Sequence, residues 1–340
     1  MAARAGVSVG TVSNVLNRPD LVAAPTRERV RTAMEELGFV RNESARMLRA
    51  GTSRTIGLIV LDVTNPFFTD VARGVEDAAV DAGLAVILCN SDDDPGKETR
   101  YVELLAEQRV QGILIVPAAA TTRKLPMRSF RGIPTVFLDY ATSSTKGCSV
   151  SVDDVAGGRI AASHLLDAGH TSLAFVGGGP SSQVADRLRG ARLAVAEHRR
   201  RARLLVVDAP TLNVDGGRAA GRALLDMRGA DAPSAAFCAN DLLALGVLQE
   251  MGRARVTVPG TISIVGYDDI LFAAAAAVPL TSVRQPRHEL GRVAAGLLLE
   301  ETTDPSHRHR HVVFEPELVV RSSSGPRRSG SGAGPRTAPS

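Results

Sequence analysis

No apolar run in this 340-residue chain approaches the length of about eighteen residues that would suggest a membrane span. The N-terminus also lacks the apolar core of a secretory signal, so a cytoplasmic location is expected. Cysteine is scarce. Cys89, Cys148 and Cys238 are odd in number and widely spaced, and two of them end aliphatic runs, so they read as reduced strand residues rather than a disulfide framework. Catalytic signatures are missing as well: there is no GxSxG, HExxH or Walker loop, and His164 and His170 sit in a helix and at its end, away from any paired nucleophile. The triple glycine at 177–179 is not GxGxxG and runs into Pro180, which argues against a dinucleotide fold. The run Asp92-Asp93-Asp94 lacks the spaced ligands of a calcium loop, and Asp94 before Pro95 reads as a helix cap and first turn. His307, His309 and His311 alternate and could chelate a metal if extended, but they read more simply as an exposed linker. Together these absences speak against an enzyme, and neither cofactor nor metal is expected.

What is present is concentrated at the start. In residues 2–17, AARAGVSVGTVSNVLN, Gly6 suits the positive φ of a tight turn and Ser8 is a good N-cap. Val12, Val15 and Leu16 fall at i, i+3, i+4 on one helical face, whereas Val9, Gly10, Ser13, Asn14 and Asn17 form a small or uncharged polar face that suits a DNA major groove. Thr26 to Leu37 repeats the apolar period with Val30, Ala33, Met34 and Leu37 and stops at Gly38, which closes a small bundle. Residues 42–51, NESARMLRAG, then offer a short Arg-bearing helix with one prominent leucine, Leu48.

From here the chain resembles the LacI/GalR-type bacterial transcriptional repressors. The likeness runs from Met1 to about Arg321 through AGVSVGTVSNVLN, TRERV, ELGF, NESARMLRAG, IGLIV, NPFF, EQRVQGILIV, HLLDAGH, NDLLALG, VPGTISIVGYDD and LTSVRQP, all in family order. It implies an N-terminal all-α helix-turn-helix head on an α/β body of two lobes, the periplasmic-binding-protein-like fold with two doubly wound parallel sheets. The expected boundaries are a head over 1–41, a linker helix over 42–54 and an effector-binding and dimerisation domain over 55–323. The first lobe takes about 55–152 and 284–302, and the second about 153–283 and 310–323.

Charge divides the same way. Residues 1–50 hold eight arginines against five acids, and residues 321–340 hold four arginines and no acid, so the formal +4 of the whole leaves residues 51–320 at −3. A basic head suits phosphate contacts, whereas an acidic body is repelled by DNA and works on something else. Residues 324–340 are rich in Ser, Gly, Pro and Arg and have almost nothing to bury, so they are expected to be disordered.

Between the ends, aliphatic runs alternate with amphipathic stretches. Strands are expected at 56–61, 85–89, 112–116, 135–138, 149–152, 173–176, 204–207, 235–238 and 263–266, with helices ending at Gly83, Gly169 and Gly252. Open α/β sheets bind ligands beyond the C-terminal ends of their strands. Phe67 and Phe68, Asp139, Asp153, Asn240, Asp241 and Asp268 follow strands, and Arg187 follows the triple glycine. The resemblance makes Phe67 and Phe68 the pocket wall, Arg187 the ligand clamp, and Asn240 and Asp268 the hydroxyl-binding pair; Asp139 and Asp153 complete the effector set. Aromatic faces with Asp, Asn and Arg suit a sugar. Asp241 reads alternatively as a helix cap, as does Asp153 or Asp154. Six residues before Arg187 stands Ser181, where purine-binding members of the family carry an arginine, which weakens a nucleobase reading.

The expectation is a ligand-gated repressor whose partners are an operator, a sugar effector and a second copy of itself; the alternative is a sugar-binding protein of the same fold without DNA activity. Ser8, Thr11 and Thr26 are assigned to phosphates, Val9 to a thymine methyl and Asn14 to adenine, with Gly10, Ser13 and Asn17 on the same face. Ala45 and Leu48 belong to the linker helix, where the resemblance makes Leu48 a minor-groove wedge. Residues 321–340 contain no Leu, Ile, Val, Met or Phe, so no coiled-coil seam forms there and a dimer is the expected stopping point. Met1 stands where relatives carry a buried valine of helix 1, so a longer N-terminus is expected, with a loosely folded head as the consequence of the short form.

Overall fold

The computed structural model describes residues 1–39, 53–118, 130, 132–140, 147–209, 211–227, 229, 232–304 and 306–327. The chain divides into two compact units, Met1–Ser53 and Arg54–Ser340.

The first unit contains α1 (Ala2–Ala5), α2 (Val9–Asn17), a 3-10 turn (Pro19–Leu21) and α3 (Ala24–Glu36). Gly6 ends α1 with φ 62°, as its place in the sequence required, and the Ser8 side chain accepts from Thr11 N at 3.0 Å to cap α2. Ala23 opens α3 with no side-chain cap. The core is Ala5, Val12, Val30 and Ala33, with Met1, Ala2, Val7, Val15, Leu16 and Met34 packed around it. Leu37 departs from the expected stripe and is 52% exposed, because the helix ends at Glu36 and Leu37 has left its register.

The second unit runs β1 (Thr55–Val60), α4 (Pro66–Asp81), β2 (Ala85–Asn90), α5 (Pro95–Glu107), β3 (Ile113–Ile115), β4 (Thr135–Leu138) and β5 (Cys148–Val152). It continues with α6 (Asp154–Asp167), β6 (Ser172–Val176), α7 (Ser182–Glu197), β7 (Arg203–Val207), α8 (Val214–Asp226), β8 (Ala235–Cys238), α9 (Asp241–Arg253) and β9 (Ser263–Asp268). The last elements are α10 (Leu271–Ala275), β10 (Thr281–Arg284), α11 (Arg287–Thr303), β11 (His311–Phe314) and β12 (Glu317–Val319).

Two six-stranded sheets result, β11-β5-β4-β3-β1-β2 and β12-β10-β9-β8-β6-β7. The order is the same in each, as expected of two similar lobes. The sixth strands differ: β11 pairs parallel with β5, whereas β12 pairs antiparallel with β10. The strands β1, β3, β4 and β5 are almost wholly buried, which is why they read as continuous aliphatic runs rather than alternating ones. The cysteines are free and buried, Cys89 in β2, Cys148 in β5 and Cys238 in β8.

Helices pair through reciprocal glycines. A Cβ on Gly158 of α6 would lie 2.0 Å from Arg187 O of α7, and one on Gly190 of α7 would lie 2.0 Å from Val155 O of α6. Gly74 and Gly291 do the same for α4 and α11, and Gly217 and Gly246 for α8 and α9. Only a missing side chain lets these backbones approach so closely.

Three expectations are corrected. Residues 311–314, assigned to the second lobe, form the edge strand of the first sheet, and the chain crosses only afterwards through Glu315 and Pro316. The disorder expected from 324 onward does not hold for residues 324–327: Ser323 and Ser324 are buried, His164 Nε2 meets Ser324 Oγ at 2.8 Å, and Arg327 N donates to Ala168 O at 2.9 Å. Gly252 does not end its helix; α9 runs through it and the positive φ falls on Arg255, at 57°.

Candidate functional site

In the second unit the C-terminal ends of both sheets border one cleft of about 480 Å³. Leu61 and Asp62 follow β1, Asp92 and Asp93 follow β2, Asp139 follows β4, and Ala239 and Asn240 follow β8, while Asp268 ends β9 itself. Phe67 and Phe68 open α4, their rings 5.0 Å apart at 80°, and the Asn65 side chain caps that helix by accepting from Phe67 N at 3.0 Å. Gln183 and Arg187 project from the first two turns of α7.

Arg187 organises the second-lobe wall. Its Nε donates to Asp154 Oδ1 at 2.7 Å, its Nη1 donates to Ala239 O at 2.7 Å, and Asp268 Oδ1 lies 3.8 Å from Nη1. The guanidinium also sits 3.7 Å from the ring centre of Tyr267. Burial opposes its charge, but Asp154, Tyr267 and Asp268 outweigh that and hold it protonated above its ordinary range.

The two carboxylates facing this wall are held at unusual backbone angles, Asp139 at φ 49° and Asp268 at φ 103°. Gln183 Nε2 donates to Asp139 Oδ2 at 3.2 Å, which leaves Asp139 Oδ1 buried without a partner. Burial, then Asp154, pushes the Asp139 carboxyl well above the usual range. Gln285 Nε2 donates to Asp268 Oδ1 at 2.7 Å, and burial raises the Asp268 pKa to about 6 despite the pull of Arg187.

In the first unit, Val9, Gly10, Asn14 and Asn17 are exposed along α2, with Val9 76% exposed. An exposed valine on an otherwise polar face is what a thymine-methyl contact requires. Ser8 and Thr11 hydroxyls lie 2.9 Å apart, and Asn17 Nδ2 donates to Ser13 O at 2.9 Å. Thr26 is half-buried in the first turn of α3. Ala45 and Leu48 lie outside the described residues.

Residues 1–42 match the model for "Bacterial regulatory proteins, lacI family", and residues 162–324 match that for "Periplasmic binding protein-like domain". The HTH-type transcriptional repressor PurR of Photobacterium profundum is 33% identical over 325 residues, covering 95% of this chain and 97% of that protein. The chain belongs to the lacI family. It is a DNA-binding transcriptional repressor with a ligand-binding body, not an enzyme. Among solved structures it is similar to the lac repressor dimer bound to operator and the anti-inducer ONPF, with TM-score 0.81 and 25% identity over 95% of this chain and 97% of that one. It is also similar to a lacI-family regulator from Enterococcus faecium with bound ribose, with TM-score 0.73 and 31% identity over 81% of this chain and 100% of that one. No helix among the described residues is long and apolar enough to cross a membrane.

Within this lacI-family frame the cleft brings together Phe67, Phe68, Asp139, Arg187, Asn240 and Asp268. Asn240 is tied on both sides: its Oδ1 caps α9 by accepting from Leu243 N, and its Nδ2 donates to Leu212 O. Asp153 does not reach the cleft; it caps α6 by accepting from Ala156 N at 2.9 Å. Asp241 is not the cap that it resembled, since its carboxylate accepts from Ser282 Oγ at 2.6 Å and Ile270 N at 2.8 Å in the interior. Sequence reasoning missed Asp62, Asn65, Asp92, Asp93, Gln183, Thr211 and Asn213 on the cleft wall, although several stand just beyond strand ends and the same rule would have found them. Asp154, two residues beyond β5, carries that signal but reads only as a helix cap, while Tyr267, inside β9 and also beside Arg187, has none.

Proposed function

We propose that this repressor binds a palindromic operator as a dimer and that its cleft takes a neutral sugar as effector. Among the described residues, the lining holds five carboxylates, of Asp62, Asp92, Asp93, Asp139 and Asp268, against one guanidinium that is already paired with Asp154. With the Asp139 carboxyl pushed well above its usual range and Asp92 paired with Lys97, the described lining presents no free cation to a phosphate and offers carboxyl oxygens to the hydroxyls of a neutral ligand. The observation that carries the reading is Asp139 Oδ1, a buried carboxyl oxygen at the cleft with no hydrogen-bond partner. A sugar hydroxyl would satisfy it, while Phe67 and Phe68 offer apolar faces to C–H groups. Ser181 at the rim caps α7 by accepting from Val184 N and brings no cation to the site.

On the DNA side, the exposed α2 face supports Val9 and Asn14 as base readers, with Ser8, Thr11 and Thr26 on phosphates. An effector that changes the angle between the lobes would alter how two paired heads meet successive major grooves.

The test is a mobility shift on the DNA upstream of the gene, with calorimetric titration of pentoses, hexoses, disaccharides and purine bases into the full chain. A sugar that binds with 1:1 stoichiometry and changes the shift supports the reading. Binding of a purine base with no response to any sugar overturns it.

A further inference from the structure

Of the three alternating histidines only His311 is exposed; His307 and His309 do not form an exposed linker. His307, in the connection between α11 and β11, has a side chain only 7% exposed, and its Nε2 lies 3.1 Å from the sulfur of Cys148 at the start of β5. His309 Nδ1 lies 3.9 Å from the same sulfur and 3.9 Å from Glu301 Oε2, on the last turn of α11. One ligand atom from each of Cys148, Glu301, His307 and His309 falls within 4.8 Å of every other. Glu301 Oε2 is buried and has no hydrogen-bond partner. His311, the third of the series, is excluded because its Nδ1 pairs with Ser149 Oγ at 2.9 Å.

We propose that Cys148, Glu301, His307 and His309 form a binding site for a single zinc-class divalent cation. A tetrahedral zinc with Zn–S of about 2.3 Å and Zn–N or Zn–O of about 2.0–2.1 Å sets its ligand atoms about 3.3–3.6 Å apart. The observed separations of 3.1 and 3.9 Å bracket that edge, so small side-chain rotations close the site. One thiolate, two imidazoles and one carboxylate suit zinc, with cobalt(II) as its spectroscopic substitute, and do not suit calcium or magnesium, which take oxygen ligands. With four protein ligands the site is closed, the pattern of a structural rather than a catalytic ion. On binding, the Cys148 thiol proton passes to solvent and the sulfur lone pair forms the new bond.

A candidate outer partner stands nearby. With Nε2 directed at the metal, His307 Nδ1 faces Glu300 Oε2 at 3.9 Å, and Glu300 is itself paired with Arg310. Arg310 N also donates to Cys148 Sγ at 3.3 Å, a contact that stabilises a thiolate. The ion would join the start of β5 to a segment of the first lobe some 150 to 160 positions later, the end of α11 and the connection into the edge strand β11. All of this lies at the N-terminal pole of the sheet, about 13 Å along β5 from its C-terminal end, the pole at which the effector cleft opens. Metal binding and effector binding are therefore separable.

The test is titration of the reduced full chain with zinc and with cobalt(II), followed by spectroscopy, metal analysis and thermal melting. One zinc per chain, a thiolate-to-cobalt charge-transfer band and a higher melting temperature with zinc are expected. Cys148→Ser should abolish the band and weaken zinc binding at least about a hundredfold, His309→Gln should keep the fold while losing the melting shift, and Glu300→Gln should weaken binding about tenfold. Cys89→Ala, with its sulfur outside the cluster, should behave as the parent chain. Effector affinity should be unchanged by zinc. A cobalt complex without a thiolate band, or zinc retained equally by the parent chain, Cys148→Ser and His309→Gln, would overturn the site.

Discussion

Arg187 and Asp154 form a buried ion pair in which Nε donates to Oδ1 at 2.7 Å, and both side chains are less than a tenth exposed. Thirty-three positions apart, they join the second turn of α7 to the first residue of α6 at the wall of the effector cleft.

Removing the cation should be costly. Arg187→Ala leaves Asp154 and Asp268 buried without their counter-charge, and breaking such a pair from one side costs about 3–5 kcal/mol. Chemical denaturation should show that loss, together with loss of effector binding. Arg187→Lys keeps the charge but cannot reach Asp154 and Ala239 O at once, so it should restore stability only in part.

Asp268 should make both stability and affinity depend on pH near 6. Its folded pKa, raised to about 6 mainly by burial, exceeds its ordinary value of 3.8, so the native state holds the proton more tightly than the unfolded chain. This contribution to stability is full below about pH 4 and is lost as pH rises through about 6. His164 and His170 have lowered pKa values through burial, which works in the opposite direction, so the comparison must be with Asp268→Asn. The difference in unfolding free energy between parent and variant should change between pH 4 and 7 and be flat above. Effector binding should run the other way: the carboxylate is the better acceptor, so affinity should fall as pH drops through about 6. Asp268→Asn should cost about 1.5–3 kcal/mol of binding at pH 7.5 and remove the pH response.

The glycine pairs predict opposite signs at two helical positions. Gly158→Ala forces a Cβ to within 2.0 Å of Arg187 O and should destabilise by about 1–3 kcal/mol while shifting the guanidinium in the cleft. Gly296→Ala, in α11, meets nothing within 4 Å and should stabilise by about 0.5–1 kcal/mol. Urea titration of both variants checks the pair, and equal effects would refute the packing argument.

In the head, Asn14→Ala should relax operator preference more than it weakens binding to unrelated DNA, and Ser8→Ala should cost about 1 kcal/mol of helix stability through the lost cap. Mobility shifts with operator and scrambled duplexes separate the two. Equal weakening of all sequences by Asn14→Ala would remove its base-reading role.

Much of this was legible in residues alone. Ala235–Cys238 and Thr135–Leu138 are strands with the bounds their aliphatic runs suggest, because a buried parallel strand leaves an uninterrupted apolar signature. Thr281–Arg284 and Glu317–Val319 carry too little apolar character for that signature, and both owe their structure to neighbouring strands rather than to local preference. Residues 307–311 misled in a different way, since alternating histidines look solvated until Cys148, some 160 positions earlier, is placed beside them. The cleft divides along the same line. Asp139 and Asp268 were found because strand ends announce them, whereas Tyr267 and Asp154 act through Arg187, and contacts across that distance are written in topology rather than in spacing.

Only Glu315 and Pro316 separate the last strand of one sheet from the last strand of the other, and Phe314 O, just before them, accepts from Asp153 N at 2.9 Å, where the chain first leaves β5. Two residues reach at most about 10 Å. The sheets are therefore tethered on a short leash that allows them to swing like a door but not to slide apart like a drawer. The signal expected from the cleft is therefore a change of angle.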